Sequence, residues 1–218
     1  MIKKFFIVFL ALTLLFCTSC AKKSKLVPFV SELREIIYEG NCPDYTIKAH
    51  YGFKEKMHVA DGIVSEKTYN LTIMLLNLTS YSKITASITL NGEVFTETFT
   101  YNPVSSLLTV CFPVKNAENC YDLILSENGK TQTVTITSII PENTLSYKQA
   151  LIEFEKQQPS LIKNYEVGTE FHAELQMRIL MREGKPYWYL GIIDKSGNTK
   201  ALLLDGFSGK ILAIKDVF

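Results

Sequence analysis

The sequence is short of the residues from which active sites are usually made. It holds three histidines (His50, His58 and His172) and one tryptophan in 218 residues. No His-Glu-x-x-His, no histidine pair at helical spacing and no acidic calcium loop occurs, which removes the common zinc and calcium scaffolds. There is no Cys-x-x-Cys, so a zinc ribbon or a thioredoxin-like redox site has no frame. Gly-x-Ser-x-Gly is missing, and with it the nucleophile elbow of the Ser hydrolases. The glycines lie scattered in strands and turns, without the clustering that cradles phosphate. His50 and His58 could meet across a hairpin near Gly52 as a weak metal pair, or lie as ordinary exposed strand residues. Glu93 and Glu97 fall on a wet strand face and read as solvated surface. The expectation is no catalytic residue, no metal site and no cofactor.

An excess of charge is lacking too. Lys and Arg number 23 against 22 Asp and Glu, so the electrostatic footprint of a nucleic-acid binder is absent. Apolar stretches long enough to span a bilayer, about 20 residues, are also missing from the start of the chain. What stands there instead is Lys3-Lys4, an apolar run Phe5–Phe16, then Cys17-Thr18-Ser19-Cys20. A basic start, a short apolar middle and small residues before a cleavage point make residues 1–19 a secretory signal peptide. Thr18-Ser19-Cys20 resembles the lipobox of bacterial lipoproteins, in which a diacylglycerol is attached to the cysteine and the peptide is cut before it. The resemblance makes Cys20 the lipid attachment residue and places the chain on the extracytoplasmic face of a cell membrane, lipid-anchored. Cys17 departs from the pattern, where an aliphatic residue is usual; an ordinary signal peptide is the competing reading.

Three cysteines remain in the mature chain: Cys42, Cys111 and Cys120. Export permits disulfides. Cys111 and Cys120 flank a loop-like stretch around Pro113, so a bridge between them competes with three reduced, buried cysteines.

Residues 20–27, with Lys22, Lys23 and Lys25, read as a lipidated tether: a solvated spacer, or one favouring anionic headgroups. Pro28 to Glu39 reads as a short helix, with Phe29, Leu33, Ile36 and Ile37 on one stripe, Pro28 at its start and Gly40 at its stop. From Asp44 to Ile140 the period becomes two. The strands expected are Tyr45–Tyr51, Tyr69–Leu78, Lys83–Leu90, Glu93–Thr100, Leu107–Phe112, Tyr121–Leu125 and Thr131–Ile139. Asn91-Gly92 is the clearest hairpin turn, and Asp61-Gly62 and Asn128-Gly129 are further ones. Asn70-Leu71-Thr72 and Asn77-Leu78-Thr79 match the glycosylation pattern but read as strand threonines. About seven short strands at this spacing predict an immunoglobulin-like β-sandwich, without that family's Cys-Trp-Cys frame. Residues 28–140 thus form a short helix plus sandwich domain.

After a boundary at Pro141–Thr144, Ser146 and Gln149 form a capping box opening a helix that ends at Pro159. Phe171 to Arg182 alternates cleanly: Phe171, Ala173, Leu175, Met177, Ile179 and Met181 on one face, His172, Glu174, Gln176, Arg178 and Arg182 on the other. Tyr187–Ile193, Lys200–Leu204 and Lys210–Ile214 follow, so residues 141–218 predict an α+β domain: a helix packed on a four-stranded antiparallel sheet. Asp205-Gly206-Phe207-Ser208-Gly209-Lys210-Ile211 in this setting is similar to the PepSY domain, which commonly closes with an Asp, a Ser-Gly or Thr-Gly pair and an aliphatic strand. That likeness implies binding or restraint of an exported protease. Tyr187, Trp188 and Tyr189 are the candidate ligand-binding residues: one face must pack on the helix, leaving the other free to stack on a sugar or peptide. The functional expectation is a membrane-anchored, non-catalytic binding or accessory module of the cell envelope, partnered by an envelope protein or polymer; the alternative is a modulator of an exported protease.

Overall fold

The computed structural model describes residues 23–55, 64–76, 83–103, 106–168 and 170–217. The signal segment, Cys20, His58, Asp61-Gly62 and Asn77 lie outside them. The first region forms β1 (Val30–Asn41), β2 (Thr46–Glu55), β3 (Lys67–Leu76), β4 (Ile84–Leu90), β5 (Glu93–Thr98), β6 (Thr100–Asn102), β7 (Leu107–Phe112), β8 (Cys120–Glu127) and β9 (Lys130–Ser138), with burial alternating most cleanly in β3, β4, β7 and β8. Two of the three expected hairpin turns lie among the described residues and fall as expected. Asn91-Gly92 and Asn128-Gly129 both have two positive φ angles, 52° and 85° in one, 49° and 79° in the other, the twist that suits right-handed strand pairs.

These strands belong to one curled sheet. β6-β7-β3-β2-β1 pair in sequence as one layer, and β5-β4-β8-β9 return over it, with β9 bonded to β1 at Tyr38 and Glu39. Inward residues of both layers make the first core. Ile47 and Ala49 from β2 meet Leu71 and Ile73 from β3, Ile88 from β4, Leu123 from β8 and Ile136 from β9. Each of these Leu and Ile side chains contributes about 1.5–3 kcal/mol by leaving water.

The helix expected over Pro28–Glu39 is a strand. Only Val27–Phe29 turn, as one 3-10 turn; β1 then runs for 12 residues. The misreading has a physical cause. A β-bulge interrupts the pairing with β2 between Arg34 and Ile36, and the extra residue shifts the phase of the alternation. Leu33 is buried in the second core while Ile36 and Tyr38 pack in the first, so apolar residues fall three apart and mimic a helical stripe. Gly40 is no helix stop either. It lies in the strand, where a Cβ would sit 2.8 Å from the Thr135 carbonyl oxygen.

The second region contains α1 (Tyr147–Gln157), α2 (Pro159–Lys163), a two-residue pair β10 (Glu166–Val167) and β11 (Glu170–Phe171), then β12 (Glu174–Arg182), β13 (Lys185–Ile193), β14 (Thr199–Asp205) and β15 (Ile211–Val217). β12 to β15 form an antiparallel meander, and β12 joins the rest of the sheet by pairing parallel to β1, Val30 beside Leu175. The capping box is present: the Gln149 N–H donates to Ser146 Oγ at 3.4 Å and the Ser146 N–H to Gln149 Oε1 at 2.9 Å. Ala150, Leu151 and Phe154 of α1 are buried against Leu175, Met177, Trp188 and Leu190. Glu174 and Gln176, on the face opposite Leu175 and Met177, are buried as well.

The Asp205–Ile211 stretch clamps the helix to the sheet. Asp205 Oδ1 accepts from the Ser208 N–H and hydroxyl, both at 2.8 Å. Gly209 has a φ of 70°, and a Cβ there would come within 2.7 Å of Glu153 on α1. Gln157, at the end of α1, donates to the Gly209 carbonyl at 2.8 Å and accepts from the Ile211 N–H at 3.1 Å.

The expected tether also ends sooner than Val27. Ser24 and Leu26 are buried, the Ser24 hydroxyl donates to Glu155 at 2.6 Å, and Lys25 pairs with Glu166 at 2.5 Å. Leu26 sits in the second core, so an apolar residue in a nominal spacer docks the chain from Ser24 onward. Among the described residues no helix is long and apolar enough to cross a membrane.

Candidate functional site

The outer face of the sheet carries a polar groove of about 330 Å³ where the two regions join. Strand register assembles it. Arg34 on β1 stands beside Gly52 on β2 and Asn70 on β3, and His50 stands beside Thr72 and, through it, Cys111 on β7. Gly52 is the pivot. A Cβ there would lie 1.8 Å from the Leu33 carbonyl oxygen, so only glycine lets β1 cross close over β2 and turn from one core to the other.

That crossing brings Glu32 and Arg34 to Arg178 of β12. Arg178 clasps the Glu32 carboxylate with two bonds, Nε to Oε1 at 3.0 Å and Nη2 to Oε2 at 2.7 Å, while Arg34 Nε donates to Oε1 at 2.7 Å. Gln176 accepts a further bond from Arg178 at 2.9 Å. The Arg178 guanidinium also lies 5.6 Å from the Tyr189 ring centroid, a cation–π distance. Glu32 is only 13% exposed. Burial pushes its pKa up, but the hydrogen bond from Arg178 and the charges of Arg34 and Arg178 bring the net value below the ordinary 4.5. His50 is held at about 4, first by burial, then by Arg34, with Arg178 and Lys54 adding to the effect and Glu32 opposing it. At neutral pH it is an uncharged imidazole.

Glu35, the bulge residue, behaves oppositely to Glu32. Burial raises its pKa, and Lys148 only partly offsets that. Its charge is felt by Tyr51, Tyr69 and Tyr147. Three residues along one strand therefore separate a clasped carboxylate whose pKa is lowered from one whose pKa is raised.

Of the two readings of the cysteines, the bridge is not formed, and the reduced thiols are not buried as that reading had them. Cys111 and Cys120 are both free and exposed. They occupy outward positions on β7 and β8, which lie in opposite layers around the first core, so a bond between them would have to pass through that core. Cys111 Sγ is 3.4 Å from Thr72 Oγ1. His50 lies two strands away from it, about 10 Å by strand spacing, so thiol and imidazole form no nucleophile–base pair. Cys42 is half-buried and its Sγ lies 3.6 Å from the Tyr45 carbonyl.

The aromatic cluster divides as its alternation requires, with one correction. Trp188 is 1% exposed and its Nε1 donates to the Leu145 carbonyl at 2.9 Å, which removes it from ligand binding and makes it a fastener of the helix entrance. Tyr187 and Tyr189 are half-buried on the other face, and Tyr189 lies across Gly191, whose Cβ would be 3.0 Å from its hydroxyl oxygen. His172 lies 3.8 Å from Glu170. Among the described residues no group of three or more His, Cys, Asp or Glu is placed to hold a metal.

Glu32, Arg34 and Arg178 were not singled out from sequence. Glu-x-Arg at 32 and 34 puts both on one face of a strand, and that signal disappears once the stretch is read as a helix. No family model, curated protein or solved structure matches the chain.

Proposed function

We propose that this chain is a membrane-anchored extracytoplasmic lipoprotein that serves the cell envelope as a binding or accessory module rather than as a catalyst. The observation that carries the reading is the Lys3-Lys4 start, the Phe5–Phe16 apolar run and Thr18-Ser19-Cys20. Cys20 is the lipidated residue in this reading. Three residues separate it from Ser24, a reach of at most about 14 Å when extended, so the folded body is held against the membrane surface and not on a long leash. We take the curled sheet of the first region as immunoglobulin-like and the helix-on-meander as PepSY-like.

Mass spectrometry of the mature N-terminus tests the anchor. A diacylglycerol-bearing Cys20 as first residue is expected; an unacylated terminus, or cleavage elsewhere, contradicts it. Crosslinking on intact cells would identify the partner, an envelope protein or polymer.

The second reading, restraint of an exported protease, is favoured by the Asp205–Ile211 turn that locks α1 on the meander. Its test needs the whole chain, because Leu26, Val30 and Leu33 complete the second core. Slower turnover by an envelope protease is expected on adding the intact protein; unchanged turnover across a panel of such proteases removes the reading.

A further inference from the structure

The groove at the junction has a charge imbalance that its internal bonds do not cancel. Arg34, Arg178 and Lys54 bring three cations to it or its wall, and Glu32 is the one carboxylate among them. Glu32 is already clasped on both oxygens by Arg178 and bonded again by Arg34 Nε. Among the described residues no ion pair is seen for Lys54. The adjoining wall is made of neutral hydrogen-bonding groups: Asn70, Thr72, Thr109 and the His50 imidazole, kept uncharged first by burial and then by the charge of Arg34. A concave site of about 330 Å³ is at the small end of the range that encloses a metabolite-sized ligand.

We propose that this groove binds a small oxyanion ligand, a molecule bearing a carboxylate or phosphate group, with Arg34 and Lys54 supplying the charge and Asn70 and Thr72 the neutral donors. The proposal deepens the binding-module reading by giving it a site and a ligand chemistry. Arginine suits either oxyanion because its planar fork presents donors in parallel, and lysine adds a point charge. Glu32 acts as the positioning residue: it fixes both guanidinium groups and keeps Arg178 engaged with the sheet. Negative charge is thereby steered to Arg34 and Lys54.

Cys111 supplies a built-in reporter. It is exposed and lines the groove, whereas Cys120 is exposed on the opposite layer. Reaction of the intact mature protein with iodoacetate, an anion, and iodoacetamide, its neutral counterpart, can be followed at each cysteine by peptide mass spectrometry. The iodoacetate-to-iodoacetamide rate ratio is expected to be about fivefold higher at Cys111 than at Cys120 in low salt, and to converge with it near 1 M salt. Inorganic phosphate and succinate, tested separately at millimolar concentration, distinguish the two oxyanions; at least one should slow iodoacetamide labelling of Cys111 and leave Cys120 unchanged. Succinamide, isosteric and neutral, should do nothing. Lys54→Gln, a change at an exposed residue, should lower the rate ratio at Cys111 and weaken protection, with the unfolding midpoint unaltered.

Equal ratios at the two cysteines overturn the proposal, as does a raised ratio without protection by either anion. Protection by succinamide as strongly as by succinate also overturns it, while leaving the binding-module reading standing on a neutral ligand. Failure of the anchor would instead appear at the mature N-terminus, which none of these labelling results touches.

Discussion

The two regions of the molecule close their cores by different means. Among its described residues the first has no α-helix: its sheet curls until β9 meets β1, and apolar residues from two layers fill the space between. The second lays α1 on a four-stranded meander and fastens it with a capping box, the Trp188 indole and the Asp205 turn. One strand serves both. The N-terminal half of β1 gives Val30 and Leu33 to the second core, and the C-terminal half gives Tyr38 to the first. The difference teaches where polar chemistry can gather. A strand that changes cores must bulge and cross its neighbour closely, and the groove with its Glu32–Arg178 clasp lies at that crossing.

The most severe way to break the comparison is from inside one core. Phe154→Ala should cost about 4 kcal/mol through lost burial and a cavity. Because β1 ties the regions together, the far-UV signal of the whole sheet should fall together with the fluorescence of Trp188, although Phe154 packs in the second core. Gly52→Ala strikes the strand that both share. Its Cβ must displace the Leu33 backbone, and about 3 kcal/mol of destabilisation is expected, read as a lower denaturant midpoint with both probes still coincident.

The two carboxylates on either side of the bulge sharpen the contrast by sign. Glu32→Gln leaves Arg178 and Arg34 short of their shared acceptor charge, and should cost about 2 kcal/mol at neutral pH. The Glu32 pKa is depressed, so its contribution is present above its ordinary 4.5 and is lost as pH falls toward the folded value. The gap between the wild type and Glu32→Gln should therefore close under acid, in denaturation curves taken from pH 7 to pH 3. Glu35 has the reverse linkage. Its raised pKa means that its stabilising form, the neutral acid, is complete below 4.5 and is lost as pH rises through the folded value. Glu35→Gln should be slightly more stable than the wild type at pH 7, with the advantage vanishing below pH 4.5 in the same titration.

Much of this arrangement could be read from the residues. Alternation marked β2 to β4, β7 to β9 and β12 to β14, because these strands bury residues at period two; β5 and β15, with no buried residue among those described, were marked by the Asn91-Gly92 and Asp205–Ile211 turns before them. Ser146-x-x-Gln149 and Pro159 marked the bounds of α1 by local chemistry alone. β1 was hidden because it serves two cores: its bulge at Glu35 replaces period two with spacings of three, which imitate a helix. The docking of Ser24 and Leu26 was hidden because lysines on either side gave that stretch the look of a spacer. The groove escaped for a related reason. Arg178 lies 146 positions from Glu32, and only the parallel pairing of β1 with β12 brings them together. No local pattern announces such a pairing. The outward placement of Cys111 and Cys120 was in principle available, since each alternates with buried neighbours, Val110 and Phe112 in one case and Tyr121 in the other.

The central structural claim is that β1 makes the two regions one cooperative unit with the groove at their junction. Equilibrium denaturant unfolding of the chain from Ala21 onward, followed at once by Trp188 fluorescence for the second core and by far-UV circular dichroism for the sheet, tests it directly. A single transition with coincident midpoints for both probes is the predicted result. Two separated transitions, with Trp188 released while the rest of the sheet persists, would contradict it.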